Sequence, residues 1–212
     1  MNMKISLSTP CLLLLKAIEK LNEKFSNNYW TWYGKSYLKM FGAKSEDWSS
    51  VQFKGKCILQ IQKRTKIYLG KGFICNSGNK YVDNKESSII RVLEGGSLCI
   101  GRGSGMTNSA LICKESVSIG NYVNIGSGTI IIDTNSHSTN WEKRMKRGDG
   151  KTAKSAPIVI EDHVFIGARS IILKGVTIGE KSIVAAGSVV AKSIPSGEIW
   201  GGNPARFIKK IE

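Results

Sequence analysis

Histidine is scarce in this chain: of 212 residues, only His137 and His163 carry an imidazole. His137 sits in the polar run Asp133-Thr-Asn-Ser-His137-Ser. A neutral imidazole, with an ordinary pKa of about 6.5, can take the proton of a hydroxyl as that oxygen attacks an acyl carbon. Nothing in the spacing makes the adjacent Ser136 or Ser138 a nucleophile. A lone histidine in a polar loop is more often solvated than catalytic, so the elements around it must decide its role. Five cysteines, at 11, 57, 75, 99 and 113, are odd in number and form no Cys-x-x-Cys. Neither a disulfide framework nor a zinc knuckle is indicated. Cys99 and Cys113 read as small, inward-facing core residues.

The elements that position His137 are written in sixes. Consecutive hexads begin at Ile160, Ile166, Ile172, Ile178, Val184 and Val190, and four places after each leader stands Val, Ser or Ile. Neither a helix of period 3.6 nor a strand of period 2 sets one aliphatic in every six. A parallel β-helix does. Each hexad gives a short strand and a bend, three make a triangular coil of roughly eighteen residues, and stacked coils bury a shared aliphatic ladder. Cys113, Ile119, Ile125 and Ile131 keep the phase. Ile61 and Ile67, then Val92 and Leu98, mark more ragged early coils, with a polar loop over 76–88. The phase breaks for 29 residues between Ile131 and Ile160, which is no multiple of six. A loop over about 134–156 must leave the coil there, and His137 stands at its mouth.

Ile166-Gly-Ala, Ile178-Gly-Glu, Val184-Ala-Ala-Gly-Ser-Val-Val and Gly201-Gly-Asn-Pro-Ala-Arg resemble the hexapeptide-repeat acyltransferases. The nearest resemblance is to the sugar and polysaccharide O-acetyltransferase branch, which includes the galactoside and maltose acetyltransferases. It covers residues 90–211, roughly. It implies a mainly-β fold, a left-handed parallel β-helix, an exception to the right-handed crossover rule. It also implies a homotrimer with sites between subunits, acetyl-CoA as co-substrate, no metal, and direct acetyl transfer to a hydroxyl of a sugar or glycan.

Residue by residue, His137 resembles the family's catalytic base. Asn108 is similar to an asparagine that contacts acceptor and intermediate, with spacing off by about one residue; its other reading is a bend. Asp133 either orients the acceptor or caps its turn. Ala168 and Ala186 match positions whose backbone meets the pantetheine arm. Lys192, Arg206 and Lys209 match positions near the nucleotide phosphates, where cations suit, though each also reads as a solvated side chain. Asn203-Pro204-Ala205 matches the turn over the adenine end. Phe165 replaces the usual Trp. His163 matches a bend position. The γ-class carbonic anhydrases share this solenoid but hold zinc with three His, and two cannot complete that site without a substitute ligand.

The chain divides into an N-terminal helical segment over 1–49, the solenoid over 50–197 and a coenzyme-binding tail over 198–212. Lys plus Arg number 31 against 16 acidic residues, a formal charge of +15. Such a balance points to anionic partners. No nucleic-acid motif is present and the charges are scattered through the repeats, which argues against nucleic acid. Coenzyme A, with three phosphates, is the anion that the resemblance supplies, and the basic stretch 143–154 suggests an acidic or phosphorylated acceptor. Thr9-Pro10 can start a helix carrying Leu14, Ile18, Leu21 and Phe25. Asn27-Asn28 is expected to break it before a second helix with Tyr33, Tyr37, Met40 and Phe41, closed by Gly42. This segment reads as a cap on the solenoid. It also reads as a peripheral membrane foot, with Lys16, Lys20, Lys24, Lys35 and Lys39 beside the apolar face. The apolar run 12–15 is too short for a span or signal core, so a cytoplasmic location is expected. Two rivals stand beside O-acetylation: N-acetylation of an amino sugar or antibiotic, and a non-catalytic basic scaffold in which replacing His137 changes nothing.

Overall fold

A six-residue repeat turns the chain through one side of a triangle, so its strands find partners only in the coils above and below. The computed structural model, which describes residues 9–78 and 87–212, has that arrangement. Three parallel sheets form the sides of a left-handed β-helix. The first coil supplies strands Lys44–Ser45, Gln52–Lys54 and Ile58–Ile61. The sixth supplies Thr177–Ile178, Ile183–Val184 and Val189–Val190, with four coils between. The solenoid thus begins before residue 50, because Lys44 and Ser45 already pair with Tyr68 and Leu69.

The hexad leaders stack in register. Ile119 lies on Ile160 and Ile160 on Ile178. Ile125, Ile166 and Val184 form the second ladder, and Ile131, Ile172 and Val190 the third. Leaders from Ile160 onward are at most 1% exposed, and Val164, Ser170, Val176, Ser182, Ser188 and Ile194 are buried beside them. Serine is tolerated there because its hydroxyl reaches a carbonyl at the coil corner. Ser170 donates to Gly167 at 2.8 Å and Ser188 to Ala185 at 2.6 Å. Cys113 points inward as expected, but Cys99 alternates with the buried Leu98 and Ile100 and lies on the outer face. The polar excursion over 76–88 leaves and rejoins at one point, where Ser88 N–H donates to Ser77 Oγ at 2.9 Å; its middle, 79–86, lies outside the described residues.

The N-terminal segment is one helix, α1, Thr9–Met40. Asn27-Asn28 does not break it, since asparagine costs a helix only a fraction of a kcal/mol, about 0.7 at most. Gly42, at φ 76°, closes it: its N–H bonds to Lys39 and that of Ala43 to Leu38, the paired bonds of a left-handed helix end. Leu38 is buried, and Trp30, Tyr37 and Phe41 pack against the core. The Thr31 hydroxyl bonds both the N–H and the carbonyl of Phe53 at 3.0 Å. This end of α1 caps the first coil. Ile18, Leu21, Phe25, Tyr29 and Trp32 form an exposed stripe on another face. Among the described residues, no helix is long and apolar enough to cross a membrane.

Candidate active site

The loop bearing His137 leaves the third sheet after strand Ile130–Ile132 and returns to the first at Ile158–Ile160. Its root is a short antiparallel neck. Thr134 bridges Ser155, Asn135 N–H donates to Lys154 at 2.9 Å, and Ala156 N–H donates to Asp133 at 3.0 Å. Asp133 is fully buried. Its Oδ1 accepts from Lys114 N–H at 2.7 Å, and its Oδ2 from Glu115 and Ser116 N–H at 2.7 and 2.9 Å. Three backbone N–H groups hold this carboxylate and the Cys113 thiol lies beside it, so Asp133 caps the turn below.

Past the neck, Ser136 takes a left-handed φ of 60°, and His137 N–H bonds to the Asn135 carbonyl at 2.7 Å. This tight turn projects the imidazole outward, 71% exposed. Its Nδ1 meets Asp149 Oδ1 at 3.1 Å and Oδ2 at 3.3 Å. A carboxylate only accepts, so Nδ1 carries a proton, and in the neutral ring the free lone pair is on Nε2. Asp149 is itself only 8% exposed, and its Oδ2 accepts from Ser138 N–H at 2.9 Å. That amide, and then His137, hold its carboxyl below the usual carboxylate range. The pair is therefore a fixed carboxylate orienting a solvent-facing imidazole. Asp149 opens a 3-10 turn, Asp149–Thr152, preceded by Gly148 at φ 83°. Sequence reasoning did not single it out. The signal was available: Asp149 is the sole acid in the basic stretch 143–154.

One of the loop's cations is structural. Arg144 ends the short helix Trp141–Arg144, and its Nη1 donates to the Ser138 and Thr139 carbonyls at 2.9 and 3.0 Å. Asn108 is also structural. It is 2% exposed at φ 42°, and its amide bonds Gly78 N–H at 2.8 Å and the Gly78 carbonyl at 3.1 Å. Asn108 therefore braces a corner, in keeping with its reading as a bend residue.

The coenzyme candidates fall into two groups. Ala168 and Ala186 are exposed and stand one above the other at the corner between the second and third sheets, where Gly187 N–H donates to Ala168 at 2.8 Å. The glycines one coil earlier, Gly126 against Ala168 and Gly167 against Ala186, leave no room for a side chain. A Cβ on Gly126 would lie 2.6 Å from Ala168 N, and one on Gly167 2.5 Å from Ala186 N. Asn203 and Pro204, joined by a cis peptide, continue past this column in the turn between Glu198–Gly202 and Ala205–Lys210. Arg206 and Lys209 are exposed on that hairpin, with Arg206 Nη1 bonding the Ala205 carbonyl at 3.0 Å. Lys192 is exposed after the last third-sheet strand, at a different corner. A strip of bare backbone with cations beyond its end fits an extended chain carrying phosphates.

His163 occupies a bend at φ 60° and stacks on Tyr122, ring centroids 5.3 Å apart. Among the described residues, no three His, Cys, Asp or Glu side chains converge to hold a metal ion.

Residues 157–192 match the family model described as hexapeptide repeat of succinyl-transferase. Over 124 residues the chain is 34% identical to gamma carbonic anhydrase 1, mitochondrial, of Arabidopsis thaliana, covering 55% of this chain and 45% of that protein. Over 56 residues it is 52% identical to a 2,3,4,5-tetrahydropyridine-2,6-dicarboxylate N-acetyltransferase of Clostridium perfringens, covering 26% and 24%. The chain thus spans less than half the length of these relatives. Among solved structures it is similar to AntD, an N-acyltransferase from Bacillus cereus in complex with dTDP-4-amino-4,6-dideoxyglucose and coenzyme A. That match has a TM-score of 0.63 at 23% identity, covering 84% of this chain and 89% of the other. Residues 157–192 thus match a hexapeptide-repeat model, and the chain shares the left-handed β-helix fold of AntD.

Proposed function

We propose that the protein transfers an acyl group, acetyl in the simplest case, from coenzyme A to a hydroxyl of a sugar or glycan. The observation that carries this reading is the His137–Asp149 pair on the extruded loop. His137 Nε2 takes the acceptor proton as the acceptor oxygen bonds to the acyl carbon. The same ring returns that proton to the departing sulfur, while Asp149 holds Nδ1–H and steadies the imidazolium. The thioester supplies the acyl group. Ala168 and Ala186 would border its arm, with Asn203, Pro204, Arg206, Lys209 and Lys192 toward the nucleotide.

An amine acceptor is the second reading. It is favoured by the N-acyltransferases among the similar proteins. A sugar hydroxyl must lose its proton as it attacks, and an amine that arrives as ammonium must lose one before it can, so the imidazole serves either acceptor. A homotrimer fits the exposed imidazole, which a neighbouring copy would cover. It also fits the outer face of the third sheet, where Ile89, Ala110, Ile130, Ile171 and Val189 form one register row.

The test is thioester consumption with a panel of sugars, amino sugars and nucleotide-linked sugars, run beside His137→Ala. Turnover that collapses by about 10²–10⁴ in the variant is expected for loss of a base. Turnover unaffected by the variant sinks the mechanism. Absence of coenzyme A binding sinks the class and moves the scaffold reading to the front.

A further inference from the structure

We infer that Lys114 is a positioning residue that sets His137 through a strut between the solenoid and the far side of the loop. Its role in turnover rests on the acyl-transfer reading; the strut itself does not. Lys114 follows strand Ala110–Cys113 on a rigid coil, and its N–H is pinned by the buried carboxylate of Asp133 at 2.7 Å. Its Nζ then crosses to the loop, donating to the Gly150 carbonyl at 2.9 Å and to that of Ala153 at 2.7 Å. These carbonyls belong to the turn Asp149–Thr152 and the residue after it. Among the described residues, no other side-chain hydrogen bond runs from the solenoid to that turn. The Ser155–Glu115 bond, at 2.7 Å, holds the neck instead. The turn also packs closely against the bend that carries His137, since a Cβ on Gly150 would lie 2.9 Å from the Ser136 carbonyl. Force therefore passes from the coil through Lys114 to the turn, from the turn to Asp149, and from Asp149 to both Ser138 N–H and His137 Nδ1. A lysine suits this position because its ammonium has donors only, and backbone carbonyls at a turn end gather partial negative charge.

The experiment compares Lys114→Met and Lys114→Arg with the full-length parent, alone and with His137→Ala. Lys114→Met is expected to lower kcat about tenfold and leave KM for acetyl-CoA within about twofold. Amide exchange at Ser138 should quicken at least tenfold while Ile172 in the core stays protected. Lys114→Arg should restore most of both. In the His137→Ala background, Lys114→Met should cost nothing further, because the strut acts through the imidazole. Unchanged Ser138 exchange in Lys114→Met overturns the inference, as does a full additional loss in the His137→Ala background. A parent without turnover whose Ser138 exchange still quickens in Lys114→Met would sink the acyl-transfer reading and keep the strut.

Discussion

Replacing Asp149 by Asn separates orientation from base chemistry. The amide keeps an acceptor for Ser138 N–H but removes the charge, and it can present its NH₂ to the imidazole. His137 is 71% exposed, so without the carboxylate little else restrains the ring. Three χ1 wells, two ring flips and two tautomers give about twelve arrangements, of which one presents Nε2 correctly. The expected loss in kcat is therefore about tenfold. That is well short of the 10²–10⁴ for deleting the base, because water can replace the carboxylate at an exposed Nδ1. KM for acetyl-CoA should be unchanged, since Asp149 does not belong to the backbone strip. Steady-state thiol release at saturating acceptor reads both parameters. A variant with full kcat, or one whose whole defect lies in KM, would refute the orienting role. The carboxylate also gives the loop a pH signature. Its pKa is depressed in the fold, so it stabilises the loop above its unfolded value of about 3.9 and loses that contribution only as pH falls through the lower folded value. Protection of the Ser138 amide should persist through the ordinary carboxylate range and fail below it.

Asp133→Asn turns an amide NH₂ toward backbone donors; leaving one or two of the three N–H groups unpaired should cost about 2–4 kcal/mol, read as a melting temperature lower by about 5–15 °C. Burial and the neighbouring Asp133 push the Cys113 thiol up to about 12, so mass mapping after mild alkylation near neutral pH should find it unlabelled and Cys99 modified before Cys57, Cys75 or Cys113; early labelling of Cys113 would contradict its packing. Neutralising Lys143, Lys146 and Arg147 together, but leaving Arg144 to hold the Ser138 and Thr139 carbonyls, should flatten the salt dependence of KM for an anionic acceptor; an unchanged slope removes the acidic-acceptor reading. Vesicles containing anionic phospholipid should sediment the protein through the α1 stripe, and Phe25→Glu with Trp32→Glu should release it; no sedimentation of the parent would leave α1 as a cap alone.

The fold and the site differed in how much of each the sequence disclosed, for a physical reason. A hexad leader such as Ile166 must be aliphatic because its neighbours one coil away, Ile125 and Val184, bury the same face. The requirement recurs each coil and prints itself along the chain as a period. The loop was legible only as a break in that period. Its contents follow contacts that occur once: Asp149 with His137, twelve residues apart, and Lys114 with Gly150 and Ala153, 36 and 39 apart. Nothing repeats, so no pattern marks them. Asn108 and Asp133 show the converse difficulty, since each admitted both a site reading and a turn reading. Both are polar residues near a mouth, which suggests a site, while their burial and backbone bonds fit the turn reading, since a buried amide or carboxylate must be satisfied on backbone. Asp149 is as little exposed as many structural acids, yet it keeps one contact for a solvent-facing imidazole. In a solenoid this regular, a polar side chain with a partner outside the repeat is a better guide to chemistry than its distance in sequence from the presumed base.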